Sequence, residues 1–148
     1  MSRVEFVVPF VAGLQRPRMA MRNGVPVMHD TDANVANKAA IRAAYRNECL
    51  RVYGTVVSAR AHVPVSVLVG AHAELPPSVR PKRLERQPHT VKPDLDNVVK
   101  LVLDALNGYA WYDDCQVDHI EAFKFDRTRG IEPHTVITIV TRDPEEES

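Results

Sequence analysis

Cysteine is scarce in this chain. Cys49 and Cys115 are the only two among 148 residues, and no CxxC pair or Cys/His cluster accompanies them. Their scarcity argues against a disulfide-stapled fold and a structural zinc site, and a reduced, cytoplasmic setting is the expectation. No apolar run approaches the roughly 20 residues of a membrane span, so no membrane attachment is expected. The early apolar stretch in MSRVEFVVPFVAG is interrupted by Glu5 and reads as a short strand rather than a signal peptide. Net charge is also missing, with 19 basic and 19 acidic residues. The zero is a cancellation. Residues 1–93 carry a formal balance of +8 and residues 94–148 one of −8. A basic surface for a polyanion beside an acidic pocket for a cation fits this split. So does chance together with the acidic tail DPEEES, and composition leaves both readings open.

A hydrophobic content of 45% and this length suit one domain with one core. One domain over residues 1–142 is expected, with residues 143–148 as a disordered acidic tail. VEFVVPF (4–10) reads as a strand. Asn23-Gly24 between the alternating pairs Met19/Met21 and Val25/Val27 signals a hairpin, decorated by Arg16, Arg18 and Arg22. DTDANVANKAAIRAAYRNECLRVYG reads as a helix capped by Asp30, Thr31 or Asp32 and closed by Gly54. Ala36, Ala40, Ala43/Ala44 and Cys49/Leu50 form its apolar face. Lys38, Arg42, Arg46 and Arg51 form a basic one, either solvated or tracking phosphates. HVPVSVLVGAHAEL (62–75) is a central strand. The proline-broken PPSVRPKRLERQPH, with Arg80, Lys82, Arg83 and Arg86, is a mobile basic loop. QVDHIEAFKF and HTVITIV alternate as two more strands. The class is α+β: a mixed sheet with two principal helices.

KPDLDNVVK (92–100) carries the chemistry. Pro93 forces a helix to begin after it, Asp94 suits the N-cap with its side chain turned back on free N–H groups, and Asp96 suits the positive end of the helix dipole. Helix initiation alone accounts for both acids. The polar positions Asp96, Asn97, Lys100, Asp104 and Asn107 then recur at spacings of three and four, forming one stripe on an otherwise apolar helix. Lys100 can pair with Asp96 or Asp104. Asn107-Gly108 ends the helix, and Asp113 and Asp114 precede the next strand. If three or four carboxylates share one site, a hard divalent ion is the usual compensation, and it supports phosphodiester hydrolysis. Spacing does not establish that they meet; tertiary folding or a partner chain must bring them together.

Other motifs fit less well. An EF-hand starting at Asp94 would need glycine where Val99 stands and glutamate where Ala105 stands. DLDNV matches the DxDx(T/V) pattern of aspartate-based phosphotransferases, but that pattern belongs at the end of a buried strand, and the preceding RQPHTVKP is polar and broken by proline. A PD-(D/E)xK nuclease lacks its second block, since Glu121 and Lys124 lie one residue too far apart.

The combination KPDLDNVVKLVLDALNGYAWYDDCQV resembles the signature of RusA-type crossover junction endodeoxyribonucleases, the Holliday junction resolvases: DxDN-xx-K, then D-(A/S)-L-N-G, then DDxQV. The close match spans roughly residues 92–118, and the PRMAMRNG hairpin and following helix match more loosely. The resemblance implies a RusA-like homodimer that needs Mg2+ (with Mn2+ as a substitute) and cuts opposed strands of a four-way DNA junction. It places the essential acids at Asp94, Asp96 and Asp114 and the essential lysine at Lys100, with Asp113 as an accompanying metal ligand and Asp104 as a structural partner of Lys100. The segment 10–30 is more apolar than the family's basic arm. For a DNA substrate, Arg16, Arg18, Arg22, Arg80, Lys82, Arg83 and Arg86 are the candidate phosphate contacts. Tyr109, Trp111 and Tyr112 either stack on unpaired bases or pack in the core. Cys115 reads as a buried filler, and the apolar stretch Phe10–Leu14 is a candidate dimer interface.

Overall fold

The computed structural model describes residues 1–147. Its centre is a four-stranded mixed sheet of β1 (Ser2–Val8), β8 (His134–Thr141), β4 (Val65–His72) and β6 (Val117–Lys124), in that spatial order. β1 and β4 pair antiparallel with β8, whereas β6 runs parallel to β4. That parallel pair requires a crossover, which α2 (Leu95–Leu106) supplies. The strict alternation in β1 and β4 follows from the two-residue period of a strand with one buried face. Val4, Phe6 and Val8, Val65, Val67 and Val69, and Ile137 and Ile139 line the core.

The long helix α1 (Asp32–Tyr53) and α2 pack against each other and against the core side of the sheet. Thr31 is the N-cap of α1, accepting from the Asn34 amide at 3.1 Å, and Gly54 closes the helix at φ 73°. The buried face differs from the alanine stripe that the sequence suggests. It consists of Asn34, Ile41, Tyr45 and Cys49, while Ala36, Ala43 and Leu50 stay exposed. Large side chains fill the space between helix and sheet, and alanine is tolerated on either side. The Asn34 side chain donates to the Gln15 carbonyl at 2.8 Å and to an Asp30 carboxylate oxygen at 2.7 Å. In this way the segment before the hairpin is tied to the start of α1.

β2 (Arg18–Arg22) and β3 (Val25–His29) form the expected hairpin. Asn23 and Gly24 both have positive φ, as the tight turn requires. Met19, Met21, Val25 and Met28 are exposed on it. Phe10, Ala12 and Leu14 pack against the chain's own core, and the Leu14 amide donates to the Asn97 carbonyl. Much of the apolar surface suggested for a dimer contact is therefore already used. Cys115 is exposed, not buried, because it lies on the outside of a 3-10 turn. At the C-terminus, Asp143 is buried and accepts from Nε and Nη2 of Arg60 at 3.1 Å each, and Pro144–Glu147 form a 3-10 turn. The suggested tail thus begins in ordered contact, while Ser148 lies outside the described residues.

The proline-rich loop is also fixed. β5 (Arg86–Gln87) pairs with β7 (Arg127–Thr128). Next to this pair the Arg129 guanidinium donates to the carbonyls of Pro76, Val79, Pro81 and Leu84 at 2.7–3.3 Å. Charge-assisted bonds of this kind contribute about 1.5–3 kcal/mol each when well shielded, and less in solvent. Arg129→Ala is expected to release the loop without unfolding the sheet. Limited proteolysis should then cut between 76 and 86 several-fold faster, with far-UV circular dichroism near wild type.

Candidate active site

Asp94 occupies the N-cap of α2 with extended backbone geometry, but its side chain makes no capping bond. The carboxylate instead takes two bonds from Lys92 Nζ, at 2.8 and 3.0 Å. That ammonium holds the Asp94 carboxyl below its ordinary range. Asp96 lies one residue into the first turn, exposed, with Lys100 Nζ at 3.5 Å. Lys100 sits one turn further along and is also exposed. The helix is presented this way because Val98, Leu101, Val102, Ala105 and Leu106 are buried on its opposite side. Burial of each large aliphatic among them contributes about 1.5–3 kcal/mol. A cleft of ≈ 440 Å3 opens beside Asp94, walled by residues 11–15, Asn37, Pro93 and Asn97. Gly13 packs closely into that wall, since a Cβ there would lie 3.0 Å from Cβ of Asn97 and 3.1 Å from Cβ of Pro93, and a neighbour would have to give by a few tenths of an ångström.

The segment before Asp94 is pinned from the sheet. Lys124, at the end of β6, donates to the carbonyls of Val91 and Pro93 at 2.7 and 3.0 Å. Neither Lys92 nor Lys124 stands out by motif. Strand parity offers a hint for Lys124, since it shares the helix-facing side of β6 with Ala122, where a charge needs a partner. His89 is buried here, and burial together with Lys124 keeps its imidazole below the ordinary pKa.

Asp113 and Asp114 lie at the other end of α2. Asp113 caps the 3-10 turn Asp114–Gln116 in a reciprocal capping box with Gln116. Gln116 is buried and donates to the carbonyls of Arg60 and Val63. Asp114 accepts from the indole Nε1 of Trp111 at 2.8 Å. Trp111 is fully buried, so it packs and orients rather than stacking on a ligand. Tyr109 is half-buried against Tyr45, and Tyr112 is exposed. Burial raises the Asp114 carboxyl, the Trp111 hydrogen bond works against this, and Asp104 and Asp113 push the same way as burial. Asp104 pairs with Lys38 of α1 at 3.0 Å, while Lys100 pairs with Asp96. Asp114 lies near Asp104, which is eight residues, about 12 Å of helix rise, beyond Asp96. Among the described residues, no three acidic, histidine or cysteine side chains gather as a metal cluster.

Of the suggested DNA contacts, Arg16, Arg18 and Arg22 are exposed on the hairpin and its approach, and Arg80, Lys82, Arg83 and Arg86 are exposed on the clamped loop. Part of the basic face of α1 is consumed internally. Lys38 binds Asp30 and Asp104, Arg42 donates to the Ala105 carbonyl, and Arg51 pairs with Glu48. DLDNV starts a helix rather than ending a strand, which removes the structural basis for the phosphotransferase reading.

The Asp114 shift has a measurable sign. A carboxyl whose folded pKa lies above its unfolded value binds its proton more tightly in the folded state. Stability then falls as pH rises from the unfolded pKa through the folded one, and the penalty is complete above both. Asp114→Asn keeps an acceptor for Trp111 and removes the charge. Its melting temperature is expected to exceed wild type at pH 7, with the gain vanishing near pH 3.

A family model described as Endodeoxyribonuclease RusA matches residues 9–140. The chain is also 32% identical over 120 residues to a Bacillus subtilis (strain 168) protein named "Uncharacterized protein YqaN", covering 74% of this chain and 78% of that protein. The carboxylates at both ends of α2, the hairpin and strands β4 and β6 all fall within the matched span, and the chain belongs to the RusA endodeoxyribonuclease family.

Proposed function

We propose that this protein is a divalent-metal-dependent endonuclease that resolves four-way DNA junctions as a homodimer. The observation that carries this reading is the exposed start of α2, where Asp94 and Asp96 stand two residues apart with Lys100 one turn on, in a chain of the RusA family. Two carboxylates and a substrate phosphate supply the hard oxygen donors that Mg2+ takes, and Mn2+ suits the same set. Asp94 and Asp96 would hold the ion. Asp114, with Asp113 beside it, is the third donor we assign, and within one chain it lies nearer Asp104 than the first turn of α2. A second copy, related by a two-fold axis, is the economical way to bring Asp114 to the first turn of its neighbour. The same axis suits a junction cut at two symmetric positions.

The bound ion supplies a polarised phosphate and a more acidic water. The remaining work falls to the chain. Lys92 keeps Asp94 ionised. Trp111 fixes the direction of the Asp114 carboxylate. Lys124 holds the backbone that sets the entry to α2. Lys100 Nζ faces the charge that builds on the phosphoryl oxygens as water adds to phosphorus and one P–O ester bond breaks. Arg16, Arg18, Arg22, Arg80, Lys82, Arg83 and Arg86 bind phosphates away from the cut.

The test uses a labelled synthetic four-way junction. Wild type is expected to make paired, symmetric nicks with Mg2+ and none with EDTA. Asp96→Asn should lose at least a hundred-fold in rate while retaining junction binding, since a preorganised charged group commonly contributes about 10²–10³. Asp96→Asn and Asp114→Asn proteins, each inactive alone, should recover cutting when mixed, because one composite site then contains only native residues. Absence of recovery in demonstrated mixed dimers would sink the shared site. Binding without cutting in any divalent ion would leave a junction-binding module.

A further inference from the structure

The sheet face opposite the helices has no covering element among the described residues, and one end of it is built from rings. β8 and β4 place His134 directly opposite His72, and Phe125 follows the end of β6 beside them. The His134 and His72 rings stack with centroids 4.7 Å apart and planes 10° apart, and His72 and Phe125 stack at 4.6 Å and 11°. These separations are close to the spacing of neighbouring strands, so the row runs across the sheet with one ring per strand. Phe123 continues it at 5.8 Å from Phe125 and 28°. Gly70 makes the row possible: a Cβ there would lie 2.8 Å from the Phe125 ring. The Phe125 amide, bonded to the Ala71 carbonyl at 3.0 Å, anchors it at this position.

The row ends in the open. Phe123 is 57% exposed and Phe125 44%. Arg86, from the clamped basic loop, and Asp126 border a hollow beside the two phenylalanines, while Glu121 borders the adjoining one. The rest of the face is mixed, with Arg3, Glu5, His119 and Thr138 beside Val7, Leu68, Val136 and Val140. An apolar partner over the ring end would bury the charges of Arg86 and Asp126 that border it. Rings with open π-faces, a cation for the backbone and carboxylates for exocyclic amino groups match a nucleotide better. β6 is the edge strand. Lys124, next to Phe123 but turned to the other face, holds the segment leading into Asp94. Ring row and acidic turn therefore flank the same end of one strand.

We propose that the row ending in Phe125 and Phe123 is a stacking site for an unpaired nucleobase, with Arg86 meeting its phosphate. This rests on the nuclease reading above and names a single-stranded nucleotide near the crossover as the group bound.

The probe is a short single strand carrying 2-aminopurine, titrated at fixed salt. Wild type is expected to quench it. Phe123→Ala should bind on the order of ten-fold more weakly, the loss of one base–aromatic stack, with an unchanged melting temperature, since the side chain is exposed. Phe123→Trp should restore affinity, and its emission should be quenched by an unlabelled strand, while buried Trp111 serves as an internal reference. Equal binding by wild type and Phe123→Ala overturns the proposal. So does a dimer-to-monomer shift of Phe123→Ala in sedimentation, which would make this face a contact between copies. A wild type that cuts junctions with Mg2+ but leaves 2-aminopurine unquenched removes the stacking site and keeps the nuclease. One that quenches but cuts no junction does the reverse.

Discussion

Burial of one face of α2 is the constraint on which the rest of the molecule depends. Val98, Leu101, Val102, Ala105 and Leu106 can leave water only if the helix lies lengthwise across the sheet. That posture turns Asp96 and Lys100 outward and sets the crossover between two parallel strands. Leu14 and Arg42 then bond its backbone from two directions, through the Asn97 and Ala105 carbonyls. Rotating the helix about its axis would bury Asp96 and Lys100 and expose the core, so the packing fixes which side of α2 the charged residues take.

The split charge of the sequence resolves into geography. On α1, Lys38 and Arg42 are drawn inward or sideways by Asp30, Asp104 and a carbonyl, and Arg60 and Arg142 are bound by Asp143 and Asp118. These cations are largely compensated and add little to a long-range field. The exposed cations of the hairpin and the basic loop lie on protruding elements instead. A polyanion would meet positive charge at the rims and negative charge at the exposed turn of α2.

Period-two alternation made β1, β4 and β8 legible, and the Asn-Gly turn did the same for the hairpin. The glycine at 54 ended α1 where the sequence says it should. The helix faces were harder to read. With alanine at many positions of α1, composition could not tell which side meets the sheet, and Tyr45 and Asn34 decided it by volume and hydrogen bonding. At the candidate site, Asp94, Asp96 and Lys100 were visible as a spacing. Lys92, Lys124 and Trp111 were not, since each acts through a contact between elements. Cys115 shows the same limit: a small apolar residue beside the acids looks buried until the 3-10 turn places it outside.

The clamp formed by Arg129 has a consequence of another kind. Its guanidinium engages four carbonyl oxygens between Pro76 and Leu84 and none of the side chains in that loop. The fixation is therefore blind to side-chain identity. Lysine, arginine or neutral residues can replace one another there without loosening the frame, so the loop can drift in sequence while keeping its shape. Such a segment can change its surface charge independently of the acids and the core.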